Sequence, residues 1–461
     1  MNPSSDTSKQ RFRTRRLRSY LRYILIIPFL IFLVLPCGVH AWMFHADPQH
    51  TGVFDDGGTR PDNVQKWNFT TMGEVTSSPA VVNGVVYVGQ EGQGSGSGMV
   101  YALSARNGSK LWNFTTGSSV SASPAVVNDM VYVNSVTRLY ALNALTGKEL
   151  WSTSDGGADD SSPAVVNGTV YVAGPNYAVY AFNAATGAFK WSFPTGNWVG
   201  SSPAVANGIV YFGSDDSNVY AVNADTGLYI WHFTTGKRVH SSPAIANGVV
   251  YVGSDDKKVY ALNATSGIKL WDYTTGSEVY SSPAVANGFV YVGSVWDKKV
   301  YALNATSGAE IWNFTTGGQV YSSPAVAHGV VYVGSNDNKV YAFHAENGTK
   351  KWDYTAGNDI HSSPAVANGV VYFGCDDFKI YAIGNQTSVI PLTGFTQPPT
   401  DPDSDGLYED LNANNRKDFN DVVLMFNQMQ WIAANEPVSA FDFNGNGRID
   451  FNDIVKLFGE I

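Results

Sequence analysis

The sequence predicts a mainly β protein: an eight-bladed β-propeller with four-stranded blades, closed by an N-terminal strand, plus a small α-helical calcium-loop domain. Three observations carry this prediction. The motif Ser-Ser-Pro-Ala, or a close variant, recurs with its proline at Pro79, Pro124, Pro163, Pro203, Pro243, Pro283, Pro324 and Pro364. Tryptophan keeps the same beat, at Trp67, Trp112, Trp151, Trp191, Trp231, Trp271, Trp312 and Trp352, and glycine stands four residues before each of these except the first. The 461-residue chain is 44% hydrophobic and only 15% charged, with 46 glycines and 25 tyrosines, a composition that favours strands and tight turns and excludes a disordered chain. A fixed period of about forty residues marks a repeat architecture.

Residues 1–41 form a separate unit. Seven basic residues, from Lys9 to Arg22, precede the apolar run YILIIPFLIFLVLPCGV, and Val39-His40-Ala41 ends in the small residue a signal peptidase accepts. This reads as an export signal, so the chain is expected outside the cell or on its surface. Because the run is long, an uncleaved membrane anchor is the alternative, although Pro28 and Pro36 weaken a continuous spanning helix. Cys37 follows Leu35-Pro36, a poor lipidation signal. Beyond residue 41 the chain has 22 basic and 38 acidic residues, a net charge of −16. Such a surface repels phosphate backbones and argues against nucleic acid as a partner; a membrane is reached only through an uncleaved anchor. Only Cys375 remains beyond the leader, so neither an intrachain disulfide nor a cysteine-based metal site is expected.

Residues 42–65 read as a cap segment. His45, Asp47 and His50 within it have metal-ligating chemistry, but a proline-containing loop is expected to place them on the surface. The propeller follows at 66–386. In its sixth unit YSSPAVA reads as strand A, Asn287-Gly288 as a two-residue hairpin turn, FVYVGS as strand B, KVYALNA as strand C and AEIWNFTT as strand D. Strand B is apolar at successive positions, as a sheet buried on both faces requires. Radially stacked sheets meet that requirement. The last unit lacks a strand D, whereas KWNFTT at 66–71 is a strand D with nothing before it. The orphan should pair with the incomplete blade and close the ring.

The pattern Ala-Leu-Asn-Ala-x-Ser-Gly-x-x-x-Trp, as at 261–271 and 302–312, resembles the tryptophan-docking repeat of the pyrroloquinoline-quinone-like propeller family. AWMFHADPQHTG at 41–52 is similar to the opening segment of such proteins. The family includes quinoprotein alcohol dehydrogenases and an eight-bladed bacterial outer-membrane assembly lipoprotein. Its dehydrogenases hold the quinone against adjacent half-cystines, a tryptophan, a calcium ion and a catalytic aspartate. With no adjacent cysteine pair here, pyrroloquinoline quinone is not expected as a cofactor and the chain is not expected to be an enzyme. The Ser-Ser of the repeat recurs in seven of eight units, as a scaffold position would, whereas a nucleophile is needed once.

Differences between repeats are more informative. The residue before each Ser-Ser-Pro or its equivalent reads Thr76, Ser121, Asp160, Gly200, His240, Tyr280, Tyr321 and His361. Two residues earlier it reads Glu74, Ser119, Ala158, Trp198, Arg238, Glu278, Gln319 and Asp359. In a propeller these D-to-A connections ring the channel mouth. Trp198, Arg238, His240, Glu278, Tyr280, Tyr321, Asp359 and His361 are therefore the candidate rim for a protein or glycan partner, against the alternative that unselected surface turns simply drift. The first unit also carries GQEGQGSGSG between strands B and C, read as a flexible flap without phosphate-binding chemistry.

Residues 387–400 form a Pro/Gly/Thr-rich linker, and 401–461 a distinct acidic module. DFNGNGRIDFND offers Asp442, Asn444, Asn446, the Arg448 carbonyl, Asp450 and Asp453 at calcium-loop positions 1, 3, 5, 7, 9 and 12, with Gly447 at the turn. DLNANNRKDFND repeats the spacing with Asp410, Asn412, Asn414, the Arg416 carbonyl, Asp418 and Asp421. Hard oxygen donors at these offsets favour two Ca²⁺ ions. Asp401, Asp403 and Asp405 upstream form either a third calcium site or a solvated linker. An amphipathic segment follows each loop, FNDVVLMFNQMQWI and FNDIVKLFGEI. Loop then helix, twice, resembles a dockerin, which implies a cohesin-like or surface-assembly partner. Two departures are the 32-residue offset between the loops and Phe-Asn at positions 10 and 11, at Phe419-Asn420 and Phe451-Asn452.

Overall fold

The computed structural model describes residues 43–54, 60–92, 97–158, 160–384, 392, 394, 399–400, 407–414, 416–435, 438–445 and 448–459. The predicted leader therefore lies outside the described residues, as do Asp401, Asp403, Asp405, Asn446, Gly447 and the centre of the Gly/Ser insertion. Among the described residues no helix is long and apolar enough to cross a membrane.

The repeats fold into eight four-stranded antiparallel sheets. Seven are built from consecutive strands. The eighth joins Ala365–Ala367, Val370–Cys375 and Lys379–Gly384 to the N-terminal strand Gln65–Thr70, with Trp67 opposite Ala382. This is the ring closure that the orphan strand predicted. In blade six the hairpin turn has Asn287 at φ 51° and Gly288 at φ 82°, the two left-handed residues of a type I′ turn. Val290, Tyr291 and Val292 of strand B are fully buried, as a sheet covered on both faces requires.

Strand A is shorter than the sequence predicts. It spans only Ala284–Ala286 in blade six, because Pro283 has no N–H and the serines before it bond elsewhere. Ser281 Oγ accepts from the Gly293 N–H at 3.0 Å, tying the segment to strand B of its own blade, and the Ser282 N–H donates to Ser323 Oγ of the next blade at 2.9 Å.

Blade-to-blade docking explains the tryptophan period. Trp231 Nε1–H donates to the Ala264 carbonyl of the following blade at 2.9 Å, and Tyr211 O–H reaches the same oxygen at 3.1 Å. The geometry repeats around the ring; Trp67 of the closing strand and Tyr372 of blade eight share the Ala105 carbonyl of blade one. The glycine four residues before each tryptophan serves its neighbour's indole: Gly267, at φ +69°, lies against Trp231 of the preceding blade. A bulge in strand D leaves the residue before each tryptophan unpaired, as between Lys269 and Trp271, which is why Leu270 and its equivalents Leu111 and Ile311 are apolar yet exposed.

The cap segment departs from expectation. Residues 43–54 run along the inner strands of blades four to seven as a strap: Val205, Ile245, Val285 and Val326 donate their N–H groups to the carbonyls of Pro48, Gln49, Thr51 and Gly52 at 2.7–2.8 Å. His45 and His50 are 5% and 0% exposed, so the expected surface placement is wrong. Backbone bonding to four blades holds the proline-containing loop inside the ring.

The C-terminal region has its own apolar cluster, including Leu407, Leu411, Val422, Met425, Phe441, Phe443, Ile454 and Leu457. It carries helices α1 (Phe419–Asn435), α2 (Val438–Phe441) and α3 (Phe451–Phe458). Asp450 caps α3 and forms a capping box with Asp453.

Candidate functional site

Two places gather chemistry: the channel mouth and the two acidic loops. At the mouth the second serine of each repeat points around the ring. The Ser78 N–H donates to Ser123 Oγ at 3.1 Å, Ser123 donates to Ser162 at 2.9 Å, and the relay continues through every blade until the Ser363 N–H returns to Ser78 Oγ at 3.0 Å. Eight such bonds, each worth about 1 kcal/mol net, close the inner wall into one band. The scaffold reading of Ser-Ser holds, and the scaffold is also the lining of a cavity of about 360 Å³.

That cavity is lined by the serine ring, by Phe44 of the strap, and by the residue immediately preceding each Ser-Ser-Pro. The residues two positions earlier do not line it. Of the eight candidate rim residues, His240, Tyr280, Tyr321 and His361 are brought together; Trp198, Arg238, Glu278 and Asp359 are not among the lining. Arg238 is 60% exposed and lies 3.8 Å from Asp215. Trp198 is half-buried and packs against the core of the neighbouring blades. The Glu278 carboxylate accepts the Ser277 hydroxyl at 2.6 Å, a bond that holds its pKa below the usual range. Asp359 supplies its backbone carbonyl to the Asp376 N–H.

The four assembled residues form a continuous aromatic arc. Ring centroids lie 5.0 Å apart between His240 and Tyr280, 5.8 Å between Tyr280 and Tyr321, and 5.3 Å between Tyr321 and His361. Both ends are anchored by carboxylates that sequence reasoning missed. His240 places its ring nitrogens 3.1 Å from Asp215 and 3.3 Å from Asp255, while His361 Nδ1 lies 2.8 Å from Asp376 and Nε2 3.1 Å from the Asn336 amide. The bond to Asp255 holds the His240 pKa above its ordinary value despite burial. Burial lowers that of His361, but the bond to Asp376 and the charges of Asp376, Asp359 and Glu74 outweigh it and raise the pKa. The two imidazoles have separate carboxylate partners. A signal was present, since the acids sit at the Ser-Asp-Asp and Cys-Asp-Asp ends of strand B, but it pairs with the histidine only once the turns fold back.

The acidic loops place Asp410, Asp421 and Asp453 at 0% exposure. Asp421 accepts from the N–H groups of Asn412 and Asp418 at 3.2 and 2.8 Å, and Asp453 from those of Asn444 and Asp450 at 3.0 and 2.7 Å. The loops are thus superposable in their bonding. Burial pushes both carboxyls up, and the charges of Asp410 and Asp418, or of Asp442 and Asp450, add to it. Among the described residues no three acidic or imidazole side chains form a ready-made metal cage. The donor set nevertheless fits a hard cation by type, because the remaining loop donors are amide and backbone carbonyl oxygens.

Comparison with known proteins follows the propeller. Solved structures with the same fold include BamB from Moraxella catarrhalis, at 16% identity and TM-score 0.60 over 70% of this chain and 98% of that one. A europium-containing methanol dehydrogenase aligns at 14% identity and TM-score 0.63, over 75% of this chain and 98% of the other. The quinohemoprotein alcohol dehydrogenase of Comamonas testosteroni aligns at 16% identity and TM-score 0.62, over 79% of this chain and 83% of the other. At these identities the likeness establishes the fold. No curated protein sequence matches the chain. The family model described as outer membrane protein assembly factor BamB matches three overlapping stretches, 59–194, 176–280 and 274–394, which together span the whole propeller, and the chain belongs to that family.

Proposed function

We propose that the protein is an exported, non-catalytic binding or scaffold protein. The propeller is its interaction platform, and the C-terminal module is a calcium-dependent attachment device. One observation carries this reading: an invariant frame holds a variable reading tier. The repeated tryptophans, tyrosines, glycines and serines dock blade to blade, while the tier above the serine ring carries six residue types over eight blades and assembles an aromatic arc anchored by carboxylates. Aromatic side chains with a polar end are effective anchors for partners.

A quinone dehydrogenase is the reading that the enzyme neighbours bring to mind, and the lining residues do not fit it. The quinone is a tricarboxylate, whereas the cavity wall offers serine hydroxyls, the Asp160 carboxylate and two histidines already paired with aspartates. The repeat tryptophans point their N–H groups at carbonyls of neighbouring blades rather than into the cavity. Carbohydrate recognition at the aromatic rim is the second reading. An envelope-assembly role of the kind named by the family description is the third; it differs in the partner.

For the tail, Asp410, Asn412, Asn414, Asp418 and Asp421 with the Arg416 carbonyl would hold one Ca²⁺ ion, and Asp442, Asn444, Asn446, Asp450 and Asp453 with the Arg448 carbonyl a second. The cation would neutralise acids whose mutual repulsion opposes folding of the loops. The dockerin resemblance supports a protein partner for this module. The test is capture from a cell-surface extract with purified protein, in calcium and in EDTA. A partner held in both conditions and lost on rim substitution supports the platform, and one held only in calcium supports the tail. Capture of nothing in either condition contradicts both.

A further inference from the structure

We propose that the cup at the channel mouth binds a neutral polyhydroxyl ligand, a single sugar ring or the end of a glycan, seated on Phe44. This rests on the rim reading above and names its ligand class. Down the inner strand of blade four the rim residue Gly200 is followed by Ser202 and then by Val205, where Pro48 of the strap attaches, which puts the strap, and with it the lining residue Phe44, on the side of the serine ring away from the rim. The ring of Phe44 is itself fixed, stacked on His45 at 4.5 Å and edge-on to His50 at 5.4 Å. The cup therefore has an aromatic floor, a hydroxyl wall and an aromatic arc along one side of its mouth.

The wall decides the ligand class. All eight serines of the ring are at least nine-tenths buried, from Ser202 at 2% exposure to Ser78 at 9%. Each Oγ accepts one backbone N–H, which leaves one O–H donor and one lone pair, and among the described residues no acceptor takes those protons. A wall of groups that both donate and accept matches a ligand whose own groups do the same. An anion would meet Asp160 in the cavity and Asp215, Asp255 and Asp376 behind the histidines. A cation would meet two imidazoles whose ring nitrogens are already taken up by those same carboxylates, with only Asp160 exposed to it in the lining. A polyol meets neither obstacle. The faces of Phe44, Tyr280 and Tyr321 can take its C–H surface, and 360 Å³ lies within the range of small-ligand pockets.

The experiment is saturation-transfer NMR of the purified protein with glucose, galactose, N-acetylglucosamine and cellobiose, and with choline and inorganic phosphate as charged probes. At least one neutral sugar receives saturation. Its affinity falls about tenfold in Phe44→Leu, which keeps an apolar floor without the ring, and about tenfold in Tyr280→Ala/Tyr321→Ala. The inference is overturned if no sugar binds, if Phe44→Leu binds equally well, or if choline or phosphate binds in place of the sugars. Partner capture separates the two levels. If Tyr280→Ala/Tyr321→Ala loses a captured protein while no sugar binds, the rim reading stands and the sugar assignment fails. If neither capture nor sugar binding responds to that variant, both fail.

Discussion

Gly267 shows how one atom sets the blade spacing. A Cβ there would lie 2.7 Å from the indole of Trp231, on a backbone at φ +69° that side chains resist. Gly267→Ala is expected to destabilise the propeller by about 2 kcal/mol or more, read as a lower denaturant midpoint with an unchanged slope. The strap makes a second prediction at this scale. Burial lowers His45 to about 4 and His50 to about 3, so both stay neutral in the folded ring. Above the ordinary histidine value of 6.5 they cost nothing through protonation. As pH falls from 6.5 towards 4 the unfolded chain takes up protons that the folded one refuses, and stability drops by up to about 1.4 kcal/mol per pH unit for each histidine. His50→Leu should therefore lose less stability between pH 7 and pH 5 than the wild type does, measured by chemical denaturation at both pH values. An equal loss would mean that His50 is protonated within the ring. None of this was legible in AWMFHADPQHTG, because burial of that loop arises from hydrogen bonds to four distant blades.

At the scale of elements, strands and turns were readable because local rules agree: Asn-Gly fixes the hairpin, successive apolar residues fix the doubly covered strand, and the unmatched KWNFTT fixes the closure. Strand A was overestimated because the proline and the inter-blade serine bonds remove ladder partners, a tertiary effect. The tail loops repeat one bonding pattern, and helix α3 starts at a capping box that uses Asp453, the residue at loop position 12. Loop and helix are thus joined at one carboxylate. Full-length protein in EDTA is expected to lose trypsin resistance at Arg416, Lys417 and Arg448 while the propeller stays resistant. Asp453→Ala should show the EDTA pattern at Arg448 even in calcium. If cleavage in the tail is the same with and without calcium, the metal assignment is wrong.

For the whole molecule, the ring depends on a strand from its beginning. Gln65–Thr70 covers the outer edge of Lys379–Gly384, and Trp67 docks blade eight onto blade one through Ala105. Trp67→Ala removes a buried indole at the closure, with an expected cost of about 3–5 kcal/mol, seen as a lower midpoint for the entire propeller rather than for one blade. The period made this architecture legible, but it hid the site, because a repeat reports what the blades share. The rim histidines and tyrosines stood out as departures from the repeat. Their carboxylate partners, the serine band and the Phe44 floor appear only when eight separated segments meet on one axis. Under the proposed function, it is this assembled tier that reads a partner. Its most direct test is capture from surface extract by Tyr280→Ala/Tyr321→Ala protein whose thermal midpoint matches the wild type. Loss of a partner that the wild type retains is the expected result; undiminished retention by the variant would mean that the tier does not read it.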